Sequence, residues 1–198
     1  MDYPGQYKIQ LLQAIQRVDL DKVCQIIQIF KAARAHGHRI FVCGNGGADS
    51  MAAQFLCELV KSPSFNRSSR FRILALSDQR PRIDAARDDF ANERVFVEQL
   101  RNFAEPEDVV MGLSPSGDSP NVANAIEYAS WIGCRTIGIT GQEGGRVAAL
   151  AQVIIEAPVS HPGAVEDVHM IICHMIGYYF VDFEKPAGQG REKAPCRS

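Results

Sequence analysis

The sequence predicts an α/β fold: a three-layer αβα sandwich on a five-stranded parallel sheet, preceded by an N-terminal helical arm. Five short apolar runs alternate with segments of helical periodicity along the chain. Such alternation implies βαβ units, and therefore a parallel sheet covered on both faces. Glycine- or serine-rich turns follow three of the runs, where an open α/β sheet gathers its ligands. The length of 198 residues suits a single domain, or a core plus an arm, and 46% hydrophobic with 22% charged residues is ordinary globular composition.

From Tyr7 to His36 the apolar residues Ile9, Leu12, Ile15 and then Leu20, Val23, Ile27 and Phe30 fall at helical spacing. Two amphipathic helices are expected, with Asp19 capping the second and Gly37 ending it. Residues 1–37 thus read as a packing arm suited to an oligomer interface. Ile40 to Cys43 is a buried strand, Gly44-Asn45-Gly46-Gly47 a tight turn, and Asp49 to Val60 a helix with Met51, Phe55, Leu56 and Leu59 facing inward. Gln54 and Glu58, four apart, share a face of that helix and can point at whatever the turn binds.

Pro63 to Arg70 is a polar, basic loop, and Arg72 to Ser77 a second strand. Arg80, Arg82, Arg87, Asp88 and Asp89 follow, either substrate-facing or on a wet surface, and Asn92 is expected to cap a helix reaching Phe103. The third strand, Asp108 to Leu113, runs into Ser114-Pro-Ser-Gly-Asp-Ser-Pro-Asn121, whose Ser119 and Pro120 mark a helix start. A helix over Val122–Gly133, a strand over Arg135–Thr140, a glycine turn over Gly141–Gly145, a short helix and a strand over Ala151–Glu156 complete the alternation. The last helix spans about Gly163 to Phe183, where Glu166, Met170 and His174 form an i, i+4, i+8 ladder. His161 reads as loop, and residues 184–198 as a disordered tail.

Three loops therefore converge at the carboxyl ends of strands: Gly44–Gly47, Ser114–Ser119 and Thr140–Gly145. Free N–H groups at helix starts, together with three hydroxyls, bind an anion without a lysine, so a small phosphate ester is the simplest ligand. Neither a Gly-Lys-Ser/Thr ending nor a spaced G-x-G-x-x-G is present. A net charge of −2 argues against a nucleic-acid or anionic-membrane surface, and no apolar run reaches the roughly 18 residues of a membrane span. Six cysteines without a C-x-x-C, mostly in apolar segments, read as reduced thiols of a cytoplasmic protein with no signal peptide.

Val42-Cys-Gly-Asn-Gly-Gly47, Leu113-Ser-Pro-Ser-Gly-Asp-Ser-Pro-Asn-Val122 and Ile139-Thr-Gly-Gln-Glu-Gly-Gly145, in this order and spacing, resemble the sugar isomerase (SIS) domain family and its phosphoheptose isomerase branch. The similarity runs from Tyr7 to Phe183, implying a flavodoxin-like SIS phosphosugar-binding domain over residues 38–183. The resemblance implies aldose–ketose isomerisation through an enediol, with sedoheptulose 7-phosphate converted to D-glycero-D-manno-heptose 7-phosphate for lipopolysaccharide synthesis. It implies a homotetramer with sites between subunits, and no nucleotide cofactor. Glu58 and His174 match the family's catalytic residues, while Asn45, Gly46, Gly47, Asp89, Ser114, Ser116, Ser119 and Glu166 match its substrate site. Gln54, Glu58, Glu166 and His174 stand where zinc-containing members hold their metal, so one zinc or other divalent ion per subunit is the implied cofactor.

This chain departs from the family pattern at several of these places. Gln54 replaces a histidine and Glu166 a glutamine, exchanging an imidazole for a carboxylate in the ligand set. Ala48 and Pro115 each remove a hydroxyl, and Asp118 adds a negative charge near the expected phosphate. His169 aligns with a family histidine and is expected to be buried and hydrogen-bonded. The same branch holds a non-enzymatic tetramer that regulates bacterial replication initiation. A phosphosugar sensor or initiator-binding regulator is therefore the alternative function.

Overall fold

The structure, a computed structural model, describes residues 2–61, 64, 69–76 and 92–183. Asp89 and its charged neighbours, most of the Pro63–Arg70 loop and the tail from residue 184 lie outside the described residues. Two helices open the chain, α1 (Tyr3–Gln16) and α2 (Leu20–His36). As expected, the Asp19 carboxylate accepts from the Asp21 and Lys22 N–H groups, and α2 stops at Gly37. There follow β1 (Arg39–Gly44), α3 (Gly47–Lys61), β2 (Arg72–Ala75), a 3₁₀ turn (Asn92–Arg94) and α4 (Val95–Phe103). The chain continues as β3 (Val109–Ser114), α5 (Pro120–Trp131), β4 (Arg135–Gly141), α6 (Gly145–Leu150), β5 (Val153–Ala157) and α7 (Pro162–Asp182).

All five strands are parallel, in the order β2-β1-β3-β4-β5. Chain direction across the sheet reverses between β1 and β3, where Gly44 pairs with Leu113. A crevice opens at the carboxyl ends of strands wherever the order reverses in this way. Here it falls between the two loops expected to bind an anion.

One apolar core joins α2, α3 and α7 to one face of the sheet, with α1 packed outside them. The other joins α4, α5 and α6 to the opposite face. Phe30, Phe55, Phe71 and Phe180 cluster in the first, with ring centroids 4.8–6.5 Å apart. Burying each such ring contributes roughly 1.5–3 kcal/mol. The core thereby fixes α3 beside α7, the two helices that carry the expected catalytic pair.

Two expected caps are not made, and one residue read as loop is a cap. Asn92 lies in a 3₁₀ turn, and Arg94 takes the position before α4 without a capping bond. Ser119 precedes α5 but makes no side-chain cap, because its hydroxyl faces Ser114. His161, read as loop, caps α7: the Ala164 N–H donates to its Nδ1 at 3.4 Å.

Candidate active site

Glu58 and His174 meet where α3 and α7 run side by side. Glu58 Oε1 lies 3.0 Å from His174 Nε2, and the Gln54 amide donates to the same oxygen at 3.1 Å. The Glu58 side chain is 9% exposed and the His174 side chain 43%, so the imidazole is the outer member. Glu58 Oε2 is buried without a hydrogen-bond partner. It fits there because position 177 is glycine: a Cβ at Gly177 would stand 2.9 Å from that oxygen and 3.5 Å from the Phe55 ring. Tyr178 stands edge-on to His174, centroids 5.8 Å apart. Beside the pair, burial pushes the Cys173 thiol up to about 12, with the Glu58 charge adding to it, so this thiol stays protonated.

At the topological switch point, Asn45 and Asn121 exchange amide hydrogen bonds of 2.8 and 2.9 Å across the mouths of β1 and β3. Asn121 is also the acceptor for the Val122 N–H at 3.0 Å. The Asn45 side chain, expected to meet substrate, is thus engaged in bridging two loops. Sequence reasoning missed Asn121, which stands in the first turn of a helix and looked like one more polar residue.

The second loop folds on its own polar groups. Ser114, fully buried, donates its hydroxyl to Ser119 at 3.1 Å, and the Asp118 N–H donates to the Ser116 hydroxyl at 3.2 Å. The carboxylate of Asp118, expected to put a negative charge near the anion, accepts from the Arg146 N–H at 2.9 Å, satisfying the start of α6. The Gly141 N–H donates to the Pro115 carbonyl at 3.0 Å and ties this loop to the end of β4. Beside these contacts lies a cavity of about 460 Å³ lined by Pro115, Ser116, Asp118, Gln142, Ser160 and Val165 among others. Neither Glu58 nor His174 lines it.

Glu166 does not join Gln54, Glu58 and His174. Its carboxylate rests on the first glycine turn, Oε1 lying 2.7 Å from where a Cβ of Gly47 would be. Next to it, Tyr7 donates to Asp167 at 2.6 Å and packs edge-on against His161, docking the arm on the start of α7. That hydrogen bond is the main reason the Tyr7 phenol rises to about 12, and burial and the charges of Asp167, Tyr3 and Glu166 add to it. Among the described residues no three His, Cys, Asp or Glu side chains group as a metal site. The implied ligand set is divided between the two ends of the α3–α7 contact.

His169 is fully buried, as expected, but neither ring nitrogen meets hydrogen-bond geometry. Desolvation lowers its pKa, and the nearby Thr140 backbone opposes that shift.

Comparison with known proteins adds four findings. The family model described as SIS domain matches residues 6–141. The phosphoheptose isomerase of Syntrophotalea carbinolica is 33% identical over 172 residues, which cover 85% of this chain and 87% of the relative. That of Trichlorobacter lovleyi is 35% identical over 159 residues, covering 77% and 75%. In fold, the chain is similar to the phosphoheptose isomerase structure from Neisseria gonorrhoeae, with a TM-score of 0.80, 24% identity, and coverage of 87% and 91%.

Proposed function

The chain belongs to the SIS domain family, and on that premise we propose that it interconverts sedoheptulose 7-phosphate and D-glycero-D-manno-heptose 7-phosphate through an enediol. It is an isomerase, and its relatives carry the name phosphoheptose isomerase. The observation that carries the mechanism is the 3.0 Å approach of Glu58 Oε1 to His174 Nε2. Isomerisation needs one group to take a proton from the carbon beside the carbonyl and another to protonate the carbonyl oxygen. The base returns its proton at the former carbonyl carbon, and the hydroxyl on the first carbon gives its proton back to the second group as the new carbonyl forms, so none is gained or lost overall. In this reading Glu58 and His174, 3.0 Å apart, are those two groups, one the base at carbon and the other the proton donor at oxygen.

Ser114, Ser116 and Ser119 hold the phosphate in this reading, and the Asn45–Asn121 bridge holds their loop against the Gly46–Gly47 turn. Ser114 and Ser119 now spend one hydrogen bond on each other, and their hydroxyls can turn to an anion at small cost. The His174 ring is open to solvent on a single protomer. A homotetramer in which a neighbour covers α3 and α7 would supply the water exclusion that an enediol requires. Gln54, Glu58 and His174 provide two strong zinc donors and a carboxamide whose nitrogen faces Glu58, short of the three strong protein ligands that catalytic zinc takes. No step of the proposed reaction therefore runs through a metal.

The test is ¹H and ³¹P NMR of sedoheptulose 7-phosphate with the full chain, with added zinc and again with chelator. Turnover in both conditions is expected, with Glu58→Gln and His174→Ala each losing at least a hundredfold while remaining folded, a typical scale for removing a general acid or base. Turnover lost on chelation would restore the metal to the mechanism. A folded protein that binds the phosphosugar but never turns it over would favour the sensor reading.

A further inference from the structure

Trp131, the sole tryptophan of the chain, closes α5 with 81% of its surface exposed. Tyr128 lies beside it, ring centroids 6.0 Å apart, so the exposed indole belongs to an aromatic pair. Both border a groove of about 560 Å³ between α5 and the chain that opens α4. Its α5 wall runs from Asn124 to Trp131, and Glu93, Arg94 and Val97 form the opposite wall. None of the residues gathered at the candidate active site lines it.

The cations around this groove already have partners. Arg94 and Arg101 both pair with Glu98 Oε1, at 3.2 and 3.4 Å, and Arg101 also lies over the Tyr128 ring, 5.8 Å from its centroid. Arg146 donates to Asn124 Oδ1 at 3.4 Å, and the Asn124 amide donates to the Glu93 carbonyl oxygen at 3.1 Å. Among the described residues no cation pairs with the Glu93 or Glu127 carboxylate, and none lies over the Trp131 indole. An ionised carboxylate only accepts hydrogen bonds, and the indole face attracts a cation better than other aromatic rings do. A ligand that fits this groove therefore brings positive charge and N–H donors. The seven-residue step along the helix from Asn124 to Trp131 spans about 10 Å, the length of roughly three residues of extended chain, whereas one ammonium group fills only part of it.

From this arrangement we propose that the α4–α5 groove docks a basic segment of a partner protein, an extended stretch carrying lysine or arginine. One cation of that segment lies over Trp131, and the Glu93 and Glu127 carboxylates take its other charge. Exposed tryptophan and tyrosine are the side chains that most often anchor such contacts. The proposal is independent of the isomerase reading.

The experiment follows Trp131 fluorescence, which reports on this groove alone, while the full chain is titrated with the peptide acetyl-Lys-Arg-Lys-amide. Acetyl-Glu-Asp-Glu-amide and spermidine serve as the other probes. The basic peptide should change the emission saturably and the acidic one should not. Glu93→Gln combined with Glu127→Gln should weaken binding about fivefold; both positions are exposed, so the variant folds. Trp131→Ala, read by calorimetry, should lose affinity to a similar degree. No saturable change, equal affinity in the carboxylate variant, or equal binding of the acidic peptide would overturn the proposal. Spermidine binding as tightly as the peptide would overturn the protein partner and give the groove to a free polyamine.

Discussion

The His169 ring sits fully buried in the core, and desolvation lowers its pKa against a smaller opposing pull from the Thr140 backbone. In the unfolded chain the same ring titrates near 6.5. Below that pH the unfolded chain takes up a proton that the fold refuses. Stability contributed by this residue is therefore present above about pH 6.5, lost as pH falls, and lost no further once the folded ring also protonates. Each pH unit inside that window costs up to about 1.4 kcal/mol. Denaturant midpoints measured between pH 7.5 and 5.5 should fall for the wild type and fall less for His169→Gln; equal slopes would assign the acid sensitivity to another group. At this scale the sequence was legible where spacing carries the information: Gln54 and Glu58 four apart, and His174 on a helix of its own. Asp118 and Asn121 were not legible in this way, because each is committed to a partner from another part of the chain, Arg146 and Asn45 respectively.

Helices and strands were legible because apolar periodicity in a buried α/β core has few alternative readings. The structure recovers each expected strand within two residues and the parallel order that the alternation implied. Helix starts were less legible, since a side chain that can cap can also bond elsewhere, as the Ser119 hydroxyl does with Ser114. The α3–α7 contact makes a sharper prediction. Gly177 lies inside α7, where alanine is ordinarily more stable by roughly 0.5–1 kcal/mol. The atom that a new methyl would meet first is Glu58 Oε2, the mobile end of a side chain, so the helix can accept the methyl once the carboxylate moves. Gly177→Ala should therefore unfold within about 1 kcal/mol of the wild type yet lose at least tenfold in kcat. A variant with full activity would show that Glu58 need not occupy that niche, and one that fails to fold would show that backbone, not carboxylate, fills it.

On the scale of the whole molecule, the proposed acid/base pair leaves its histidine open to solvent in one protomer. His174 is 43% exposed, and the cavity under the serine loop is lined by neither member of the pair. The arm shows a matching excess of apolar surface: Ile9 and Leu12, one turn apart on α1, are 41% and 50% exposed although Tyr7, Leu11 and Ile15 on the same helix pack inward. Burying a leucine-sized side chain at an interface contributes roughly 1.5–3 kcal/mol, and closed symmetry repeats that gain in every subunit. An arm used this way would hold neighbours over the α3 and α7 faces and exclude water from the enediol. Ile9→Asp combined with Leu12→Asp places two charges where neighbours would dock while leaving the inward face of α1 untouched. Light scattering should then report a mass below that of four chains, circular dichroism should be unchanged, and isomerase turnover should fall at least tenfold. Were the four-chain mass and the activity both to survive, the exposed face of α1 would be free surface, and cover for His174 would have to come from another face of the molecule.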